Sequence, residues 1–390
     1  MSDIERSFSA AEINTINLAI ALGDLSLSAK EGDQIHLRAR LRSNDVSELE
    51  ISVVDGVLTI KNRSESNWLT RNADRIDIAL SVPTTAAATI SAKTGLGDVS
   101  ADGVSGLATI HTGKGDVQTA NGRGSLVIKT GKGDVAVRAW RGDLDITTGK
   151  GDVAVSDLVG GLQLSTGAGD AAVARWQAAD GAAHQIKTGS GDVAVRQIQV
   201  QRLEIKIGRG DCVLQQMNLH GLDIRTGMGS LNLAGDPLGG RWEARTGKGD
   251  LTLALPANTA VRIEAATRQG QVNSELPQVK VARPGPISQH GGRVIVVVGE
   301  EPRAEIRLDT HKGDITVRTM GAMPTSAAST SVTVEARPAS PKPPSLPASP
   351  ALPSPPMPAA LAMTAMSVLE SLERGEINAD EAEALLRSLD

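Results

Sequence analysis

A Thr-Gly-x-Gly-Asp motif recurs along this chain at nearly fixed intervals, and no other feature limits its fold as strongly. Copies start at Thr94, Thr112, Thr130, Thr148, Thr166 and Thr188; the series continues with Ile207 in the Thr place, with Thr226 (Ser230 replacing the Asp) and with Thr246. The first four steps are 18 residues each and later ones reach 22. Degenerate copies begin at Thr267 and Thr310, and Leu22-Gly23-Asp24-Leu25 reads as a shortened leading copy. Before each pair of glycines runs an alternating segment such as Leu144-Asp145-Ile146-Thr147-Thr148; after it comes one such as Asp152-Val153-Ala154-Val155. Period-two alternation bounded by glycine marks strands, and the paired glycines allow a tight turn with positive φ. Units this small cannot bury a face alone and are stable only when stacked. The expected fold is all-β: a β-solenoid (β-helix-like) of roughly 18–22-residue Thr-Gly-x-Gly-Asp repeats.

Stacking makes a checkable demand on the first inward position after each turn. That column reads Val99, Val117, Val135, Val153, Ala171, Val193, Cys212, Leu231 and Leu251, apolar throughout. The last inward position before the glycines is mostly Thr, whose hydroxyl can bond along the stack. Trp140, Leu158, Trp176, Ile198 and Met217 form a further column, expected at a hydrophobic corner. With four Trp, one Phe and no Tyr, the core must come from aliphatic residues, and platforms for stacking bases or sugars are scarce.

The motif invites three chemical interpretations. A phosphate loop needs Ser or Thr directly after its Lys; here Gly follows Lys114, Lys132, Lys150 and Lys248. Calcium-binding β-rolls use a nine-residue Gly/Asp pattern, whereas these units lack the residue between the last Gly and the Asp, and many put a cation in the turn. Asp98, Asp116, Asp134, Asp152, Asp170, Asp192 and Asp211 would instead stack ~4.8 Å apart as a structural ladder, with turn lysines and backbone N–H groups compensating their charge. The six His are scattered without zinc-ligand spacing, and Cys212 fills a Val slot, which favours an inert buried thiol over a nucleophile. We therefore assign no catalytic, cofactor-binding or metal residue. The two Arg-Gly-Asp tripeptides, at Arg141 and Arg209, are expected by chance in a chain built from Gly-Asp turns.

Two outward stripes remain. Lys93, His111, Lys129, Lys187, Lys206, Arg225 and Arg245 would make a basic ribbon, either solvated charges that blunt a sheet or a ligand-binding row; Lys129, Lys187, Lys206, Arg225 and Arg245 are the interaction candidates. Ala136, Ala154, Ala172, Ala194 and Val213 form a flat stripe of small side chains.

Composition divides the chain into an N-terminal strand-rich capping region (1–90), the repeat domain (91–320), a Pro/Ala/Ser-rich linker expected to be disordered (321–358) and a helical hairpin (359–390). In the hairpin, Asn378 and Glu381 form a helix-start signal, and Leu385, Leu386 and Leu389 supply an apolar stripe too small for an independent core. We expect it to dock on a protein partner or a second copy. A net charge of −5 argues against nucleic acid. The N-terminal MSDIERSFSA carries no apolar signal run and no stretch approaches the roughly 20 apolar residues of a membrane helix, so the expected location is cytoplasmic, with no direct membrane span.

The T-G-x-G-D-V-x-V copies, with residues 76–99, 251–272 and 299–318, resemble the bacterial adhesin-like family of β-strand-repeat proteins, a domain of unknown function. The tail is similar to a SHOCT-like short helical hairpin. The resemblance implies a β-solenoid with a binding or scaffolding role, sometimes at the cell envelope, and no catalytic residues. The expected function is a non-enzymatic scaffold with a tethered docking hairpin; the alternatives are an adhesin-like surface protein that binds a glycan or protein, and, less favoured, a β-helix carbohydrate-active enzyme.

Overall fold

The computed structural model describes residues 2–41, 49–62, 75–84, 88–178, 184–257, 259–276, 292–299 and 301–320. The linker and hairpin expected from the sequence, with Leu385, Leu386 and Leu389, lie outside the described residues.

Each repeat is one rung of two strands joined at the glycine turn, as in Leu144–Lys150 followed by Val153–Val159. The first strand pairs in parallel with the first strand of the next rung (Leu144 opposite Leu162), the second with the second (Val153 opposite Ala171). The side-chain period of two turns this register into columns. The nine-residue column from Val99 to Leu251 faces inward, and each member is at most 1% exposed. Burying one Val or Leu of this column contributes about 1.5–3 kcal/mol, so the solenoid is held chiefly by repetition of the same contact. Thr112 donates to Gly97 O at 3.3 Å and Thr246 to Gly229 O at 2.9 Å, so part of the Thr column bonds from rung to rung.

The glycines are required by close stacking. Gly151 has φ +139°, and a Cβ there would lie 2.1 Å from Gly133 O. The other corner is made differently. Asn121, Ala139, Asp157, Arg175, Gln197 and Gln216 each take a left-handed conformation, φ 51–57°, one per rung. In five of these rungs the next residue turns inward: Trp140, Leu158, Trp176, Ile198 and Met217 are all buried. The two corner tryptophans are therefore core, with Nε1 donating to Gly124 O at 3.0 Å and to Gly160 O at 2.9 Å.

Spatial order departs from chain order at both ends. Thr15–Leu22 and Leu25–Lys30 form a rung between Val57–Asn62 with Ile76–Pro83 on one side and Thr89–Leu96 with Val99–Asp102 on the other. Correspondingly, Ala304–Lys312 and Ile315–Thr319 lie between the rung ending in Leu251–Leu255 and that of Val261–Gln269 and Val272–Ser274. The chain thus steps over a rung just after Pro83 and again after Pro256. A proline lacks the N–H a ladder needs, so it suits the point where the chain leaves its sheet. Antiparallel strands close the stack: Leu49–Val54 on Val57–Asn62 through an Asp55-Gly56 hairpin turn, Gln34–Leu41 on Ile76–Pro83, and Gly292–Val298 on Val261–Gln269.

Candidate functional site: the turn ladder, the basic column and the corner groove

The acidic residues that end the glycine turns are bonded to one another's backbone. Each carboxylate accepts the N–H of its counterpart on the next rung, from Asp24 to Asp98 (3.0 Å), through Asp134 to Asp152 (2.8 Å), to Asp192 with Asp211 (2.8 Å). Ser230 N–H continues the series onto Asp211, and Asp314 N–H onto Asp250. At the N-terminal end Asp24 N–H bonds Asp77, and Arg75 pairs with both carboxylates. Among the described residues no group of three or more His, Cys, Asp or Glu side chains is placed to hold a metal ion. The Asp-to-backbone bonds themselves make the repeated motif a rung-to-rung ladder of charge-assisted hydrogen bonds.

The basic residues do share one column, in two parts. Lys93, His111 and Lys129 occupy consecutive rungs; Thr147 and Ser165 interrupt; Lys187, Lys206, Arg225 and Arg245 resume. In the second part an acidic residue lies two positions earlier on three of the four strands, with Gln185 in that place before Lys187. Lys206 pairs with Glu204 at 2.5 Å, Arg225 with Asp223 at 3.0 Å, and Arg245 with Glu243. The hydrogen bond from Lys206 holds the Glu204 carboxyl below the usual range, and the one from Arg225 to Asp223 raises the guanidinium. In the first part partial burial, then Lys129 and Lys93, push the His111 imidazole down, so this stretch disfavours a further positive charge.

A third surface runs along the left-handed corner. A groove of ≈ 660 Å³ lies there, crossing rungs from Arg141 to Asn218. One wall follows the left-handed column; the other follows Arg141, Val159, Gln177, Gln199 and Asn218, which stand opposite one another in register. Arg175 clasps Asp157 with two hydrogen bonds, 2.5 and 2.7 Å, and these hold the Asp157 carboxyl low. The sequence had marked the buried corner column but not its neighbours. The signal was positional: the groove residues directly precede and follow Leu158, Trp176, Ile198 and Met217.

Two buried groups complete the inventory. Burial pushes the Cys212 thiol far up, with Asp211 and Asp192 adding to the effect, which keeps it protonated. His184 occupies a Leu position of the core, edge-on to Trp176 with ring centroids 4.9 Å apart. Neither of its nitrogens has a partner among the described residues. Burial lowers its pKa, with Asp143 opposing. No helix among the described residues is long and apolar enough to cross a membrane.

A family model described as Toastrack DUF4097 matches residues 40–159 and 141–318, together more than half of the chain. No curated protein matches. Among solved structures, a candidate adhesin from Parabacteroides distasonis is 12% identical, covering 82% of this chain and 97% of that one, with a TM-score of 0.32. A candidate lipid binding protein from the same organism is 10% identical over 80% and 96%, TM-score 0.33. A candidate cell adhesion protein from Clostridium sporogenes is 11% identical over 82% and 99%, TM-score 0.22.

Proposed function

The chain belongs to the Toastrack DUF4097 family, and from that premise we propose that it is a non-enzymatic interaction scaffold, a rigid β-solenoid whose tethered C-terminal hairpin docks on a protein partner or on a second copy. The observation that carries this is register. Rung after rung offers the same outward positions, and the ladder from Asp77 to Asp314 locks them in line. Such a surface suits holding and presenting rather than chemistry, which needs convergent groups at one place. The hairpin contributes Leu385, Leu386 and Leu389, an apolar face that residues 359–390 cannot bury alone. The Pro-rich tether raises the effective concentration of a second contact once the first has formed. We place the protein in the cytoplasm, with association at the cell envelope as the variant that its adhesin-like relatives suggest; fractionation of cells separates the two.

The test is pull-down together with light-scattering mass for three chains: intact, ending at residue 335, and Leu385→Asp with Leu389→Asp. Tail-dependent association should vanish in the last two while solenoid melting stays unchanged. Identical mass and identical partners in all three would remove the hairpin from the proposal.

A further inference from the structure

We infer that the corner groove is a binding site for an uncharged linear polysaccharide, laid along the solenoid axis with about one sugar ring per rung. The inference rests on reading the solenoid as an interaction surface and names the class of partner that surface takes. Five carboxamides, Gln177, Gln197, Gln199, Gln216 and Asn218, line the groove on three consecutive rungs. All five are exposed, and none has a hydrogen-bond partner among the described residues; Gln185, elsewhere on the solenoid, donates to Glu204. A carboxamide carries donors and an acceptor together, which is what a row of sugar hydroxyls, themselves donors and acceptors, requires.

Spacing and rigidity point the same way. The rails repeat every ~4.8 Å, and a pyranose ring linked through opposite positions advances its chain by roughly that distance. Gln197 and Gln216 are held at φ 56° and 54° on a corner whose next residues, Ile198 and Met217, are locked in the core. The backbone points from which they project are thereby fixed before any ligand arrives, which confines the ordering cost of binding to the side chains.

Other linear ligands fit less well. An extended peptide joins a sheet through a free edge, but the strands here are paired on both sides. A nucleic acid or acidic polymer needs a cationic track. In this groove Asp157 and Arg175 neutralise each other, which leaves Arg141 as the unpaired charge among the lining residues. No aromatic side chain lines the groove, so affinity must come from hydrogen bonds accumulated along the chain.

The experiment titrates the intact protein by calorimetry with linear β-1,4-linked oligosaccharides of glucose, xylose, mannose and N-acetylglucosamine, from disaccharide to hexasaccharide. At least one series should bind saturably, tighten with length until the sugar spans the five rungs that line the groove, and change little with added salt. The triple variant Gln177→Ala, Gln199→Ala and Gln216→Ala should melt like the parent and bind about tenfold more weakly or worse. Absence of binding in all four series, binding unaffected by the triple variant, or binding abolished by salt overturns the inference. The pull-down above is independent: protein association that persists without sugar binding removes this site and leaves the scaffold intact.

Discussion

The backbone N–H of Asp152 donates to the carboxylate of Asp134 at 2.8 Å, across the gap between two rungs. The carboxylate that the sequence places in most of the turns therefore accepts its successor's backbone N–H, and the turn is a link in a stack. Calcium should then leave the melting temperature unchanged at millimolar concentration. A large saturable rise, lost in Asp134→Asn with Asp152→Asn, would restore the metal interpretation through binding linkage.

The two corners respond oppositely to substitution. At Gly151 an added Cβ meets Gly133 O at 2.1 Å and φ is +139°, so Gly151→Ala should destabilise by on the order of 3 kcal/mol. At Ala139, φ 51° strains a residue that has a Cβ. Ala139→Gly should be neutral or stabilise by up to about 1 kcal/mol, relief of strain outweighing the entropy of the added glycine. Chemical denaturation of the two variants checks both signs.

The core column makes its own prediction. Cys212 lies fully buried beside Val193 and Leu231 in register, so thiol reagents should label it only after unfolding. Val135→Asp places an unpaired charge between Val117 and Val153 of the same column and should cost about 4 kcal/mol or more. Rapid labelling of the native protein would mean the rung register is wrong.

His184 gives the pH dependence. Its folded pKa is depressed by burial, so the native ring is neutral while the unfolded ring takes a proton below about 6.5. The unfolded state then binds more protons, and stability present above that pH is lost as the pH falls through it. His184→Leu, matching its neighbour Leu203, should flatten the fall between neutral pH and pH about 5. An unchanged slope would assign the acid sensitivity to other groups.

Much of this was readable in the residues, for physical reasons that also mark the limits. Val99 to Leu251 betrayed the stack because a parallel register repeats the same demand at each rung. Glu204, Asp223 and Glu243 stand equally plainly two residues before the basic column, yet their pairing depends on side chains that share a strand face, which the sign of one row alone does not announce. The insertion of residues 15–30 and 304–319 as penultimate rungs was not legible. Parallel pairing lets a segment sit beside any rung of matching pattern, and only Pro83 and Pro256 hint at the step. The left-handed corner was hidden because Asp157, Arg175 and Gln197 lack the glycine that usually announces positive φ. There the buried side chain that follows imposes the conformation.

Hydrogen exchange read by mass spectrometry tests the central claim, that the repeated Asp is a rung-to-rung bond, most directly. The amides of Asp116, Asp134, Asp152 and Asp170 sit in exposed or half-exposed turns, where exchange is ordinarily fast. If each donates to the preceding carboxylate, as the distances of 2.8–2.9 Å indicate, they should exchange as slowly as the strand amides of Val135 and Val153. Asp134→Ala should release protection at Asp152 while leaving Asp116 slow. Turn amides that exchange at loop rates in the parent protein would contradict the ladder and return the motif to the search for a ligand.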